Sequence, residues 1–344
     1  HRRFRFVHAR VALDRTHPHQ GLMRVLARGS LLRFALVRLA ATAMLLVAVS
    51  FVVFGLLHLT PGDPARNLLG PRQASPEVLQ SIRDQYHLDD SFIGQYLHWS
   101  GGVLHGDLGQ SIRSDEAVTS LLADRVIITL QLAVLSFLLT MAIAVPLGVT
   151  SAWRAGSVLD RTVGVTSIVG VGAPTYAVGL LLLYVFGVTL EWFPVYGSGE
   201  GGLDRWWHLV LPSVTLATGV GALVLKLTRT AVLAELEQDY VAFARSRGLS
   251  QRQVRALVLR NAVMPVITSL GLVFGFLFGG TILVEVTFAL PGIGSLLAGS
   301  VTFKDVPVVQ AITLLTAAVI ALTALAVDLF AFVADPRVRR KLTT

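Results

Sequence analysis

Six apolar stretches of about twenty residues or more limit what this chain can fold into: Arg38–Leu59, Ile127–Trp153, Thr162–Leu190, Leu209–Thr228, Val263–Val284 and Val308–Val333. Crossing a hydrocarbon layer of ~30 Å takes about 20 mostly apolar helical residues, because lipid offers no partners to backbone N–H and C=O groups. None of the six shows the period-two alternation of a barrel strand, so the pattern predicts an all-α membrane protein with six transmembrane helices. Of the 344 residues only 15% are charged and 53% are hydrophobic, against about 25% charged in soluble domains. Such a chain has to bury apolar surface, which excludes disorder. The absence of cysteine excludes a disulfide scaffold, a thiolate metal site and a cysteine nucleophile.

The basic residues then predict sidedness. Nine arginines precede or open the first span, Arg154 and Arg161 lie between the second and third, and Arg337, Arg339, Arg340 and Lys341 close the chain. Lys226, Arg229, Arg245, Arg247, Arg252, Arg255 and Arg260 lie between the fourth and fifth. These make 22 of the 29 basic residues, all on one side of a six-span arrangement. The positive-inside rule makes that side cytoplasmic, with both termini inside and a bacterial inner membrane as the setting. The same placement explains the net charge of +8 without nucleic acid as a partner; the partner it implies is lipid. Residues 1–37 read as a mobile basic cytoplasmic arm, 38–59 as the first span and 336–344 as a basic tail. The first apolar run is too long for a signal-peptide core and ends in the turn sequence Thr60-Pro61-Gly62-Asp63-Pro64, so it reads as a retained helix.

Two connections exceed the short links usual between helices. Residues 60–126 form an external cap. Ser75-Pro76-Glu77 opens a helix running towards Tyr86, a second helix includes Gln95, Tyr96 and Trp99, and Gly106-Asp107-Leu108-Gly109 marks a turn. The cap carries nine acids against five arginines, and reads either as a solvated lid or as a docking surface for an external partner. The second long connection, 229–262, belongs to the core of 127–335. A helix over Leu233–Arg247 should end at Gly248, and Ser250 with Gln253 forms a capping box for another helix, with Asn261 and Pro265 at its end. Helix, glycine elbow and helix would lie at the membrane surface, either holding two spans in register or serving as a lever for a cytoplasmic partner.

Tyr240-x-x-x-Ala244-Arg245-x-x-Gly248-Leu249-Ser250 followed by Leu259-Arg260-Asn261-Ala262-x-x-Pro265 resembles the "EAA" loop of ABC importer permeases. The variant is that of the first ("B"-type) subunit of the dipeptide/oligopeptide/nickel group, with Ala242-Phe243-Ala244 where the literal Glu-Ala-Ala would stand. The likeness extends over nearly the whole chain after about residue 30. It includes Gly106-Asp107-Leu108-Gly109-x-Ser111, Pro146-Leu147-Gly148, Leu211-Pro212, Val284-Glu285, Leu290-Pro291-Gly292-Ile293-Gly294, Asp305-x-Pro307 and Asp335-Pro336-Arg337-Val338-Arg339. The resemblance implies the type I ABC importer permease fold, with 229–262 as the coupling loop. It also implies a pseudo-symmetric heterodimer with a second permease, two P-loop ATPase subunits and an external substrate-binding protein docked on the cap. ATP and Mg would then be bound by the partners and no cofactor by this chain, which contains no G-x-x-x-x-G-K-[ST]. The family's substrates would be di- or oligopeptides moved inward, the alternatives being nickel or another small solute.

In that reading Tyr240, Ala244, Arg245, Gly248, Leu249, Ser250, Arg252, Arg255, Asn261 and Pro265 couple the chain to the ATPase. Arg245, Arg252 and Arg255 would be polar anchors, and Ala244 and Leu249 the buried contact with the partner. For the translocation path the sequence offers small and kinking residues in spans three and five: Gly172, Pro174, Gly275 and Gly279. Plain helix packing explains the same glycines. Glu285 and Asp328 are ionisable residues near membrane depth and so candidates for function, Glu285 for the path or gate; each is also expected close enough to an interface for water to reach it, which suits a structural role. Pro291, Gly292 and Gly294 read as a re-entrant apolar hairpin and gate. No catalytic pattern emerges: the histidines show no metal-ligand spacing, and only Asp328 lies clearly within a span, too few for an aspartyl intramembrane protease. A gated passive channel is the other architecture with six spans, and an EAA-type loop is what such a channel does not need.

Overall fold

The computed structural model describes residues 19–59, 61–69 and 75–334. Most of the arm (1–18), Thr60, 70–74 and the closing residues 335–344 with their Asp-Pro-Arg sequence lie outside these. The helices in chain order are α1 (His19–Leu59), α2 (Pro64–Leu69), α3 (Pro76–Gln85), α4 (Phe92–Leu104), α5 (Val118–Trp153), α6 (Val158–Gly172) and α7 (Thr175–Leu182). A π-helical continuation, Leu183–Thr189, follows α7. Then come α8 (Gly202–Leu236), α9 (Asp239–Ser246), α10 (Gln251–Thr287), α11 (Ile293–Thr302) and α12 (Val306–Ala334). Among the described residues four helices are long and apolar enough to cross a membrane: the Leu32–Leu59 part of α1, α5, α8 and α12.

The third apolar stretch is not one straight rod. Its two halves, Val158–Gly172 and Thr175–Thr189, meet at 105°. Pro174 supplies no N–H to a continuing ladder, and its ring drives Ala173 into extended conformation (φ −76°, ψ 128°). Pro265 has the opposite outcome. Expected to mark a boundary together with Asn261, it lies inside α10, which runs from the loop into the fifth apolar stretch without a break. A proline removes one backbone bond, which a packed helix can absorb. Two more boundaries shift. The helix expected over Leu233–Arg247 is divided at Glu237 and Gln238 between the end of α8 and α9, and the last residues of the expected cap, from Val118 on, already belong to α5. The helix α1 likewise starts at His19, inside the stretch read as an arm.

The centre of the molecule is the packing of α5 on α8, with α10 against α8 and α6 alongside. Leu132, Leu209, Val224, Leu277, Val284 and Phe288 are buried there. The helices α5 and α8 pack tightly at Gly148, where a Cβ would lie 2.8 Å from the Leu225 carbonyl oxygen. At the periphery α1 leans on α12, with Phe34 stacked on Phe332 at 4.6 Å and Arg38 3.1 Å from Asp328. That pairing supplies the partner Asp328 needs in an apolar setting. The lower cap is fixed to α1 by an aromatic cluster of Phe51, Phe54, Phe92, Tyr96 and Trp99.

Candidate functional site

The loop of 229–262 is built around its own small core. Val149, Ala152 and Trp153 of α5, Val232 and Leu236 of α8, Val241 and Ala244 of α9, and Val254, Val258 and Ala262 of α10 pack together. Tyr240 faces this core and its hydroxyl donates to Glu235 Oε2 at 2.7 Å. After α9 the chain turns through Gly248, whose φ of +77° favours glycine. Leu249 N–H bonds back to the Ala244 carbonyl at 3.2 Å, closing the turn. The capping box is present: Gln253 N–H donates to Ser250 Oγ (3.4 Å), and Ser250 N–H donates to Gln253 Oε1 (2.9 Å).

This core revises the assignment of contacts within the loop. Ala244 is 7% exposed and Leu249, partly buried, packs against the same core, so both hold the loop together. What faces out is Phe243, 63% exposed, with Arg245, Arg247, Arg252 and Arg255. Arg247 lies over the Phe243 ring (5.5 Å to its centroid) and Arg255 over the Trp153 ring (5.0 Å), so Arg255 is also a tether to α5. Periodicity alone does not single out Phe243: on a 3.6-residue helix 243 lies three residues from 240, at the edge of the inward face made by 240, 241 and 244. Asn261 is half-buried, and Pro265 is exposed along α10.

A buried ion pair lies next to the loop. Asp160, 7% exposed at the start of α6, accepts from Arg229 Nε (2.6 Å) and a terminal guanidinium nitrogen (2.9 Å). It also accepts from Ser151 Oγ (2.5 Å) and Gly156 N–H (2.9 Å). One carboxylate thus joins the end of α5, the α5–α6 turn, α6 and α8. Sixty-nine residues separate the pair in sequence, and nothing local signals it.

At the far end of α10 the expected gate residues form a packed knot. Glu285, expected within reach of water, is 0% exposed. It accepts from Thr129 Oγ1 (2.6 Å) of α5 and from Ser295 N–H (2.9 Å) of α11, while Ile293 N–H donates to the same Thr129 hydroxyl (2.9 Å). Gly292 and Gly294 leave room for the carboxylate, since a Cβ on either would run into it. Pro291 beside them is exposed. The physical reason for the difference is saturation: α5 and α11 bring enough hydroxyl and backbone donors to replace water. A second knot follows the same plan. Asp305, 2% exposed before α12, accepts from Ser111 Oγ (2.5 Å) and Ile112 N–H (3.1 Å) in the cap.

The remaining pathway candidates separate. Gly172 and Pro174 flank the 105° bend, Gly279 lies exposed on α10 with open space beside it, and Gly275 is buried. A crevice of ≈ 240 Å³ does lie beside the glycines of α6, but it runs between α5, α6 and α8, lined by residues including Thr140, Ala144, Ser167, Gly170 and Thr218, and α10 contributes none of its lining.

Comparison with known proteins agrees with this architecture. The profile of the family described as "Binding-protein-dependent transport system inner membrane component" matches residues 144–340. Its N-terminal companion, "Binding-prot-dependent transport system membrane comp, N-term", matches 31–133. The chain is 34% identical over 310 residues to the "Probable peptide ABC transporter permease protein y4tP" of Sinorhizobium fredii, covering 89% of this chain and 99% of that protein. It is 37% identical over 313 residues to the "Glutathione transport system permease protein GsiC" of Salmonella typhimurium, covering 90% and 100%, and equally similar to GsiC of Escherichia coli.

Proposed function

The chain belongs to the binding-protein-dependent transport system inner membrane components, and from that premise we propose that it is the peptide-importing permease subunit of an ABC transporter. Relatives named for peptide and glutathione transport, similar along almost their whole length, support di- or oligopeptides as the solute class. Six crossings result when the bent α6–α7 pair and α10 are each counted once. The excess of basic residues in 229–262 and near the chain ends supports a cytoplasmic side for them at a bacterial inner membrane, with the cap outside. The domain limits proposed are a basic arm (1–37, within which α1 begins), the first span (38–59), an external cap (60–126, within which α5 begins), a core (127–335) that carries the loop 229–262, and a basic tail (336–344).

One observation carries the coupling role. The α9–Gly248–α10 elbow buries its apolar side in the permease's own core and leaves Phe243 uncovered among arginines. An exposed aromatic with a guanidinium group over its ring suits a pocket on another protein. The partner proposed for it is a P-loop ATPase chain, two of which bind ATP and Mg; a second permease completes the pathway and a substrate-binding protein docks on the cap. Tyr240, Ala244 and Leu249 brace the elbow, and Phe243, Arg245 and Arg252 meet the ATPase. Closure of the ATPase pair would move the elbow and bias the spans between inward-open and outward-open packings.

The chain has no cysteine, so Phe243→Cys gives a single reactive position. In the assembled transporter a bifunctional thiol-to-amine reagent should join it to the ATPase subunit, with a yield that changes on ATP binding. Labelling of that cysteine from the outer face, or no crosslink to the ATPase in an assembled complex, would remove the coupling assignment.

A further inference from the structure

Three side chains on the cap come together although their sequence spacing resembles no metal motif. His87 lies in the turn after α3, Asp90 just before α4 and His98 in the middle of α4. The two imidazoles stack with centroids 4.0 Å apart and planes 10° apart. His87 Nδ1 and His98 Nε2 each lie 3.7 Å from Asp90 Oδ2, and all three atoms fall within 4.8 Å of one another. The turn is held in place from beneath. Gln95, 7% exposed, donates to the carbonyl oxygens of Leu88 and Asp90, both at 2.9 Å, and its Oε1 lies 3.0 Å from His58 Nε2. His87 itself takes a φ of 54°, a left-handed conformation that non-glycine residues rarely adopt.

We propose that His87, Asp90 and His98 bind a divalent first-row transition-metal ion of the Zn²⁺ class, with a fourth coordination position left open. Two imidazoles and one carboxylate suit Zn²⁺, Ni²⁺, Co²⁺ or Cu²⁺, whereas Ca²⁺ and Mg²⁺ prefer sets made of oxygen alone. Metal–ligand bonds of about 2.0–2.1 Å put tetrahedral ligand atoms about 3.3 Å apart, so each 3.7 Å gap has to close by about 0.4 Å, and the stacked rings have to turn out of parallel so that both lone pairs meet one ion. Side chains that are 47%, 48% and 56% exposed have the rotational freedom for that adjustment. Gln95 does what outer partners do in metal sites: it fixes the backbone that aims the ligands. The two histidines also border a cavity of ≈ 320 Å³ with Gln95, Asp107 and Gln110 on its wall, giving the open position a polar space to face. A bound ion would fasten the 87–90 turn to α4 and stiffen that side of the cap. The site is independent of the coupling assignment.

The test is Zn²⁺ titration of the purified full chain in its complex, by calorimetry in competition with a chelator of known affinity. Because His1, His8, His17 and His19 could also take up metal, the comparison uses a parent in which these four are glutamine. The parent should bind one Zn²⁺ per chain. His87→Gln and His98→Gln should each weaken binding by at least about tenfold, on the scale seen when support for a metal site is lost. Thermal stability without metal should not change, because both side chains are exposed. Co²⁺ in the parent should give visible absorption that the double variant lacks. An unchanged isotherm in the His87→Gln/His98→Gln double variant, or no Zn²⁺ bound by the parent, would overturn the site.

Discussion

Asp160 and Glu285 are both buried carboxylates that hold helices together, each accepting from a hydroxyl and a backbone N–H, and they differ in that Asp160 alone also has a cation. Asp160 is clasped by a two-pronged guanidinium from α8. Glu285 receives a hydroxyl and a backbone N–H, and no cation is paired with it among the described residues. Asp305 repeats the Glu285 pattern with Ser111 and Ile112. Short neutral donors on fixed backbone tolerate little displacement, so the end with Glu285 and Asp305 works as a staple joining α5, α10, α11, α12 and the cap. Arginine is long, so Arg229 can follow Asp160 while α8 tilts against α6. Two ends of one helix bundle are therefore built for different amounts of movement, and the more compliant one adjoins the elbow proposed to meet the ATPase.

Replacing Arg229 should have the largest effect. Arg229→Gln strands a carboxylate that is 7% exposed, and breaking a buried pair in this way destabilises by about 3 kcal/mol, the low end because the arginine itself is partly exposed. Thermal unfolding of the purified permease would report it, and Arg229→Lys should recover part of the loss because the charge returns without the fork. In Thr129→Val the loss should be about 2 kcal/mol, since Glu285 loses a donor and Ile293 N–H an acceptor inside the protein. The comparison predicts a further contrast in proteoliposomes. Arg229→Gln should lower solute moved per ATP hydrolysed, whereas Thr129→Val should lower the amount of folded protein and leave that ratio alone. A changed ratio in Thr129→Val with an unchanged one in Arg229→Gln would reverse the roles given to the two ends.

What could be read in the sequence was local. The Ser75-Pro76 start of α3, the second cap helix and the Ser250–Gln253 box each depend on residues within one helical turn, and each is present. The bend at Pro174 was hidden because apolar composition continues across it, and hydropathy averages over a break that backbone geometry enforces. Asp160 with Arg229, and Glu285 with Thr129 and Ser295, were illegible for another reason: their partners come from separate helices, and only the α5–α6–α8 and α5–α10–α11 packings bring them together. Glu285 was recognised as unusual but assigned water as its partner, because a sequence does not display the donors on neighbouring helices. His87 and His98 show no metal-ligand spacing in the sequence because a turn, rather than a fixed helical interval, sets their separation.

The smallest stability effect separates two explanations of the elbow. A Cβ built on Gly248 meets nothing within 4 Å, so inside this chain the residue is constrained only by its φ of +77°. Gly248→Ala should then destabilise by about 1 kcal/mol through backbone strain, and Gly248→Asn by less, because asparagine tolerates the left-handed region. If φ were the whole requirement, Gly248→Asn would transport normally. If an ATPase surface closes over the elbow, Gly248→Asn and Gly248→Asp should assemble with nearly unchanged unfolding temperature and yet lose uptake and solute-stimulated ATP hydrolysis together. Stability and transport are measured on the same preparation, so a fold defect cannot pass for a coupling defect. Full transport by Gly248→Asn would make the inner elbow a structural turn and leave the Asp160–Arg229 pair as the mark that distinguishes the two ends.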